Sequence, residues 1–238
     1  MFRPGWKMTV VTALFAPLLF WLGTWQLERE QEKILLQQEY EAKQSATPVD
    51  ADSIDWRRAD LAFSNVQADG EFDNAHSFLL DNRVYEGKVG YELLSPFRTD
   101  SGLELLVNRG WVAQGATRAQ LPAIRDIVGR VHIQGSVYVP LDKAFLLGEI
   151  EEMVSSSGPW VLQDIDIERI AAKLETQLAP YTIRLAPGST GLEQANWQTV
   201  NMLPQKHRAY AVQWFAMLLA LIIMFVYFGF KNSHSDEG

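Results

Sequence analysis

No cysteine occurs anywhere in the chain, which excludes disulfide stapling and closes every thiolate route to zinc, copper or covalently attached haem. Histidine is nearly as scarce. The four imidazoles, at 76, 132, 207 and 234, never fall at His-x-His or His-x-x-x-His spacing, so a multi-histidine metal site would need distant residues to converge. No serine sits in a Gly-x-Ser-x-Gly elbow, and neither Gly-x-x-x-x-Gly-Lys nor Gly-x-Gly-x-x-Gly is present. The signatures of serine hydrolases, phosphate loops and dinucleotide-binding units are therefore missing. Carboxylates are plentiful, but spacing singles out no pair, which makes an ordinary enzyme the weaker reading. Repeats and low-complexity tracts are also lacking, and nothing divides the chain into two soluble domains. Basic residues are outnumbered. The net charge of −8 is a poor match for nucleic acid.

What the chain does have is two long apolar runs. Its 47% apolar and 21% charged content is too polar for a polytopic transporter but suits one soluble domain with anchors. Charge stops at Arg208 and returns only at Lys231, leaving 22 residues in which Tyr is the sole ionisable side chain. As a helix they extend roughly 33 Å, enough to cross the hydrocarbon of a bilayer. At the entry to this run His207, Tyr210, Ala211 and Trp214 share one helical face by their i, i+3, i+4, i+7 spacing. Near the other terminus, Arg3 and Lys7 precede Met8 to Leu27, 20 residues without charge. A cleavable signal peptide is the alternative for that run. It is disfavoured by the length of the run and by the lack of a small-x-small cleavage site in Trp21-Leu-Gly-Thr-Trp25-Gln.

Two spans place both termini on one side, and Arg3, Lys7 and Lys231 favour the cytoplasm. The expected organisation is a cytoplasmic tail over 1–7, a transmembrane helix over 8–27, an extracytoplasmic domain over 28–209, a second transmembrane helix over 210–230 and a cytoplasmic tail over 231–238. Within the extracytoplasmic segment, 28–47 reads as a helical extension of the first span, because strong helix formers continue without a breaker to Pro48. That segment holds 18 basic and 27 acidic side chains, an excess of nine negative charges. Gln26, Arg29 and Lys33 recur at i, i+3 and i+7, so two cations stand on one face just outside the bilayer, where contact with lipid phosphate is the plain reading.

From Asp55 to Val139 short runs broken by Gly, Asn, Asp and Pro predict antiparallel strands. The strand candidates are Ser77 to Leu80, Gly90 to Leu94, Glu104 to Val107 and Val131 to Val139. In the last, Val131, Ile133, Val137 and Val139 alternate with polar residues, which puts His132 on the wet face. His76 falls beside a turn. An amphipathic helix is expected between Asp164 and Leu178, ended by Pro180, then a strand from Tyr181 to Leu185. The stretch from Asp142 to Ser157 reads as a mobile loop. Asn82-Arg83 and Asn108-Arg109 each follow an apolar run, where a guanidinium can tie a turn to a carboxylate or carbonyl or bind an anion. The fold class expected is thus an α+β membrane protein. Two transmembrane helices, N- and C-terminal, flank one outward-facing domain built on an antiparallel sheet, flat or closed into a barrel.

Several short motifs occur in order between Gly23 and Phe215. They are Gly23-Thr-Trp25-Gln26 with Arg29 and Lys33, Gly70-Glu-Phe72, Leu80-Asp81-Asn82-Arg83, Gly90-Tyr91, Pro96-Phe97, Asn108-Arg109-Gly110-Trp111-Val112, and His207-Arg-Ala-Tyr210-Ala-Val-Gln213-Trp214-Phe215. In these the chain resembles the surfeit locus protein 1 family, membrane-anchored assembly factors of haem-copper cytochrome c oxidase. The resemblance implies a non-enzymatic role in maturing the oxidase catalytic subunit. It also implies that haem A is bound and handed on, with His207 as the leading iron ligand. Such a ligand needs helix surface exposed to hydrocarbon for its isoprenoid tail, an imidazole for its iron and cations for its propionates. Trp25, Tyr210 and Trp214 are candidates to wall the macrocycle, and Arg29, Lys33, Lys206 and Arg208 to meet the propionates. The aromatic belt of a membrane interface is the competing reading for the rings. The implied partners are the catalytic subunit, haem A synthase as a further candidate, and membrane lipid. The implied location is the inner membrane of a bacterial cell, with the central domain periplasmic, or of a mitochondrion. Two other readings are an interaction scaffold for the same subunit that binds no cofactor, and an outward-facing sensor or lipid-binding module. The two spans are expected to pack together, bringing Trp25 and Arg29 near His207 and Trp214.

Overall fold

A computed structural model describes residues 4–115, 120–139, 159–197 and 203–235. The mobile loop expected over 142–157 lies outside the described residues. The chain divides into a helical unit, residues 1–39 with 198–238, and a β-rich unit, Tyr40–Trp197.

The helical unit holds most of α1 (Trp6–Gln44) and all of α3 (Pro204–Ser235). Proline opens α3 at a position whose N–H no helix would use. The interior Pro17 of α1 removes one backbone bond, a loss that spanning helices tolerate. Both helices are long and apolar enough to cross a membrane, with mean hydropathy of 1.6 and 2.3 over their apolar windows. Their apolar side chains are turned outward: Leu14, Phe20, Trp21, Val212, Leu219 and Ile223 are all exposed. A continuous exposed apolar surface of this extent is untenable in water and ordinary in hydrocarbon. The two helices thus give a membrane-anchored, two-pass chain.

They meet antiparallel along one face of α1. Phe215 of α3 lies edge-on to Phe20, ring centroids 6.1 Å apart, and covers Gly23 so closely that a Cβ there would stand 2.6 Å from its ring. Ala211, one turn earlier, is buried as well. Without a hydrophobic drive between helices in lipid, small residues at the crossing let the backbones approach and gain dispersion contact.

The β-rich unit contains β1 (Val49–Asp50), β2 (Asn65–Phe72), β3 (Phe78–Tyr85), β4 (Lys88–Thr99), β5 (Glu104–Ala113), β6 (Val131–Tyr138), β7 (Trp160–Leu162), α2 (Ile167–Leu174) and β8 (Leu178–Leu185). The strands run in the order β1-β2-β6-β8-β5-β4-β3-β7, and a further pairing of β2 with β4 closes five of them into a ring. Closure is possible because the long β4 shares one edge. Its first half pairs with β3, while Phe97, Arg98 and Thr99 pair with Phe72, Glu71 and Gly70. Gly70 marks the seam, where a Cβ would stand 2.1 Å from the Arg98 carbonyl oxygen. The α+β fold with apolar helices at both termini and a barrel-like sheet is the one expected. The sheet is not purely antiparallel, since β1/β2, β3/β7 and β5/β8 pair in parallel.

Alternation along the ring strands fills its interior with Val66, Ala68, Phe72, Phe97, Leu105, Val107, Ile133, Val137, Ile183 and Leu185. A second core lies between α2 and the sheet, where Ile170 meets Phe78, Leu80, Leu94, Leu106, Trp160 and Leu162. The helix is shorter than the apolar spacing suggests. Asp166 caps its start by accepting from the Arg169 N–H at 3.0 Å, and Glu175 ends it in the left-handed conformation. Leu178 and Pro180 therefore belong to β8. Proline is tolerated there because it falls where the β5–β8 register shifts, between Leu178 and Thr182, and no ladder bond is asked of it.

Candidate functional site

The first turn of α3 carries His207 and Arg208, and one face of α1 carries Gln26 and Glu30 four residues apart. These four pair off. His207 Nδ1 lies 2.8 Å from Gln26 Oε1, and Arg208 Nε donates to Glu30 Oε1 at 2.6 Å. Glu30 is only 6% exposed, so its charge depends on that guanidinium for compensation. With the Gln26 amide oxygen as acceptor, this contact selects the Nδ1–H tautomer, which leaves Nε2 its lone pair. Nε2 is buried and has no hydrogen-bond partner. It is a covered acceptor with no protein partner, on a half-buried ring. Among the described residues no group of three or more His, Asp or Glu side chains is placed to hold a metal.

The other residues singled out from the sequence lie on the same two helices. Trp25 is partly exposed, with the Arg29 guanidinium 5.9 Å from its ring centroid. Arg29 is itself ion-paired to Glu32 at 2.7 Å. Lys33 is half-buried on α1, Tyr210 is exposed, and Trp214 is half-buried. Gln26 and Glu30 are side chains of α1 that hydrogen-bond to α3. Glu30 escaped sequence reading altogether, although its i+4 spacing from Gln26 was a usable signal.

The two Asn-Arg motifs of the β-rich unit have structural duties. Arg109 is 1% exposed and donates to the Gly191 and Arg125 carbonyls at 3.0 Å each and to Glu193 at 3.3 Å. Burial pushes its pKa down, opposed chiefly by Glu193. Asn108 donates to the buried Glu92 carboxylate at 2.7 Å, and Arg83 Nε is 3.9 Å from the other oxygen of that carboxylate. Arg184, pushed down by burial with Glu92 as the main opposing charge, is flanked by the rings of Tyr138 and Trp197 at 3.5 and 5.1 Å. His76 is held by Asp73 at 2.6 Å and stacked on Trp160. His132, exposed, lies 3.3 Å from Asp69. Unlike His207, both have a carboxylate at Nδ1 and stand in the β-rich unit.

The two units define a two-pass, membrane-anchored α+β protein whose helical part presents an imidazole nitrogen with no partner. The SURF1 family pattern matches residues 13–219, and the chain belongs to that family. Its members are cytochrome oxidase assembly factors, not a class of enzymes. A SURF1-like protein of Rickettsia felis is 26% identical over 227 residues, covering 92% of this chain and 96% of its own. A SURF1-like protein of Monosiga brevicollis is 26% identical over 230 residues, covering 90% and 85%. The surfeit locus protein 1 of Rattus norvegicus is 25% identical over 228 residues, covering 87% and 71%.

Proposed function

We propose that this protein holds haem A at the His207 end of its two spans and passes it to, or stabilises it in, the catalytic subunit of cytochrome c oxidase. The observation that carries this reading is the buried, partner-less Nε2 of His207. Haem A supplies an iron that takes an imidazole, two propionates that take cations, and an apolar tail that takes hydrocarbon. His207 offers Nε2 to the iron once the side chains that cover it move aside. Trp25, Tyr210 and Trp214 offer ring surface, and the exposed apolar faces of α1 and α3 offer a path for the tail. Lys33 offers a cation for a propionate, while Arg29 and Arg208 would share theirs with Glu32 and Glu30. The engagement of those two arginines is what favours the second reading, a scaffold for the same subunit that holds no cofactor. The family's role in oxidase assembly supports the catalytic subunit as the recipient, with haem A synthase a further candidate as the donor.

The absorption spectrum separates the two readings. Purified in detergent from cells that make haem A, the protein should carry the Soret and α bands of a haem A protein. A preparation without haem bands supports the scaffold.

The basic flanks Arg3, Lys7 and Lys231 support a periplasmic β-rich unit in the inner membrane, or its mitochondrial equivalent. A reporter fused after Gly238 should be active only if it is one that works in the cytoplasm. Activity from a periplasm-dependent reporter at that position would reverse the topology.

A further inference from the structure

His207 is held by a neutral amide, and the carboxylate one turn further along α1 is engaged by another residue. Gln26 occupies Nδ1 at 2.8 Å, while Glu30, one turn further along α1, is committed to Arg208 at 2.6 Å. Metal-ligating histidines are commonly backed at their second nitrogen by a carboxylate, a carbonyl or water. The carboxylate gives the strongest electron donation through the ring, and loss of the backing group costs about 10–100-fold in metal affinity. We infer that Gln26 is the positioning residue for His207. It fixes the Nδ1–H tautomer, so that Nε2 always presents its lone pair, and it keeps that nitrogen a donor of intermediate strength, suited to a bond that must later be released. The inference rests on the haem reading above for its ligand, but the tautomer is a property of the protein alone.

Reversing the amide would offer an N–H to Nδ1 and leave an Nε2–H buried without an acceptor. The two arrangements therefore differ in where the imidazole proton sits. The nitrogen NMR spectrum of the haem-free, detergent-solubilised protein with nitrogen-15 histidine distinguishes them, with the His207 signals assigned by their loss in His207→Ala. The wild type should show the Nδ1–H form, and Gln26→Leu should lose that preference. An Nε2–H wild type, or a Gln26→Leu protein with unchanged tautomer, overturns the positioning role whether or not haem binds. The second measurement is haem release from the loaded protein to excess apomyoglobin. Gln26→Leu should release roughly 10–100-fold faster than wild type, and Gln26→Glu more slowly than wild type. Equal release rates for the three proteins overturn the tuning even where the tautomer result holds. A protein that takes up no haem in any form overturns both the tuning and the haem reading, and leaves the NMR result to decide the positioning role.

Discussion

His207→Ala is expected to cost about 100-fold or more in haem affinity while leaving the protein inserted and folded. The magnitude follows from the lesser case, because removing only the group behind a ligating imidazole already costs about 10–100-fold. Removing the ligand itself should exceed that. Little of the fold depends on this side chain. It gives up one hydrogen bond, to Gln26, worth about 1 kcal/mol, and alanine is the best residue for a helix interior. The Gly23–Phe215 crossing and the Glu30–Arg208 pair remain to hold α1 and α3 together. Haem titration followed at the Soret band measures the loss, and far-ultraviolet circular dichroism verifies the fold. His76→Ala and His132→Ala should titrate like wild type, since each imidazole is engaged by a carboxylate in the β-rich unit. Loss of haem from either control would move the ligand away from His207.

Arg109→Ala is expected to be the most damaging single change in the β-rich unit, at about 3–5 kcal/mol, the range for breaking a buried, hydrogen-bonded charge network. The guanidinium donates to the carbonyls of Gly191 and Arg125 and to the Glu193 carboxylate, and its central carbon lies 5.3 Å from the ring centroid of Phe72. Its loss strands the two carbonyls, leaves Glu193 only the Arg125 guanidinium at 3.7 Å, and opens a void beside the ring interior. It also frees the segment that runs beside β5, where Glu193 N–H donates to the Arg109 carbonyl at 2.7 Å and Trp111 N–H to that of Gln194 at 2.6 Å. Gly110 at φ 103°, with the Gln194 carbonyl 2.5 Å from where a Cβ would sit, is fitted to that same close passage. The near-ultraviolet melting transition of the detergent-solubilised protein should fall by on the order of 10 °C. Arg109→Lys should be intermediate, because a single ammonium cannot reach carbonyls on two sides at once. A loss under about 1 kcal/mol for the alanine variant would mean that the network is ornamental.

Much of this architecture can be read from local pattern. The spans are legible because bilayer thickness demands a run of apolar residues whatever the rest of the chain does. β6 is legible because Val131, Ile133 and Val137 alternate against a wet face. The three parallel pairings are not, since β3 meets β7 and β5 meets β8 across long stretches of chain that carry no local mark of their register. The end of α2 is misread for a related reason. Leu178 continues the helical period by coincidence, whereas Glu175 in the left-handed region, unusual for a non-glycine residue, stops the helix.

The site is legible in part, and the division has a physical basis. His207 stands out because it is titratable at the mouth of an apolar run. Arg109 appears in a conspicuous motif, but sequence cannot tell a guanidinium buried among carbonyls from one facing a ligand. Glu30 and Gln26 reveal their importance only when α3 is laid against α1, since the spacing of a helix names its faces without saying which one is covered.

The resonance Raman spectrum of the ferrous, haem-loaded protein tests the central claim most directly, because the iron–imidazole stretch reports the bond itself. Wild type should show a low-frequency band that shifts when histidine carries nitrogen-15. His207→Ala, loaded at high haem concentration, should lack it. An isotope-sensitive band that persists in His207→Ala, or its absence from wild type, would contradict the assignment of His207 as the iron ligand.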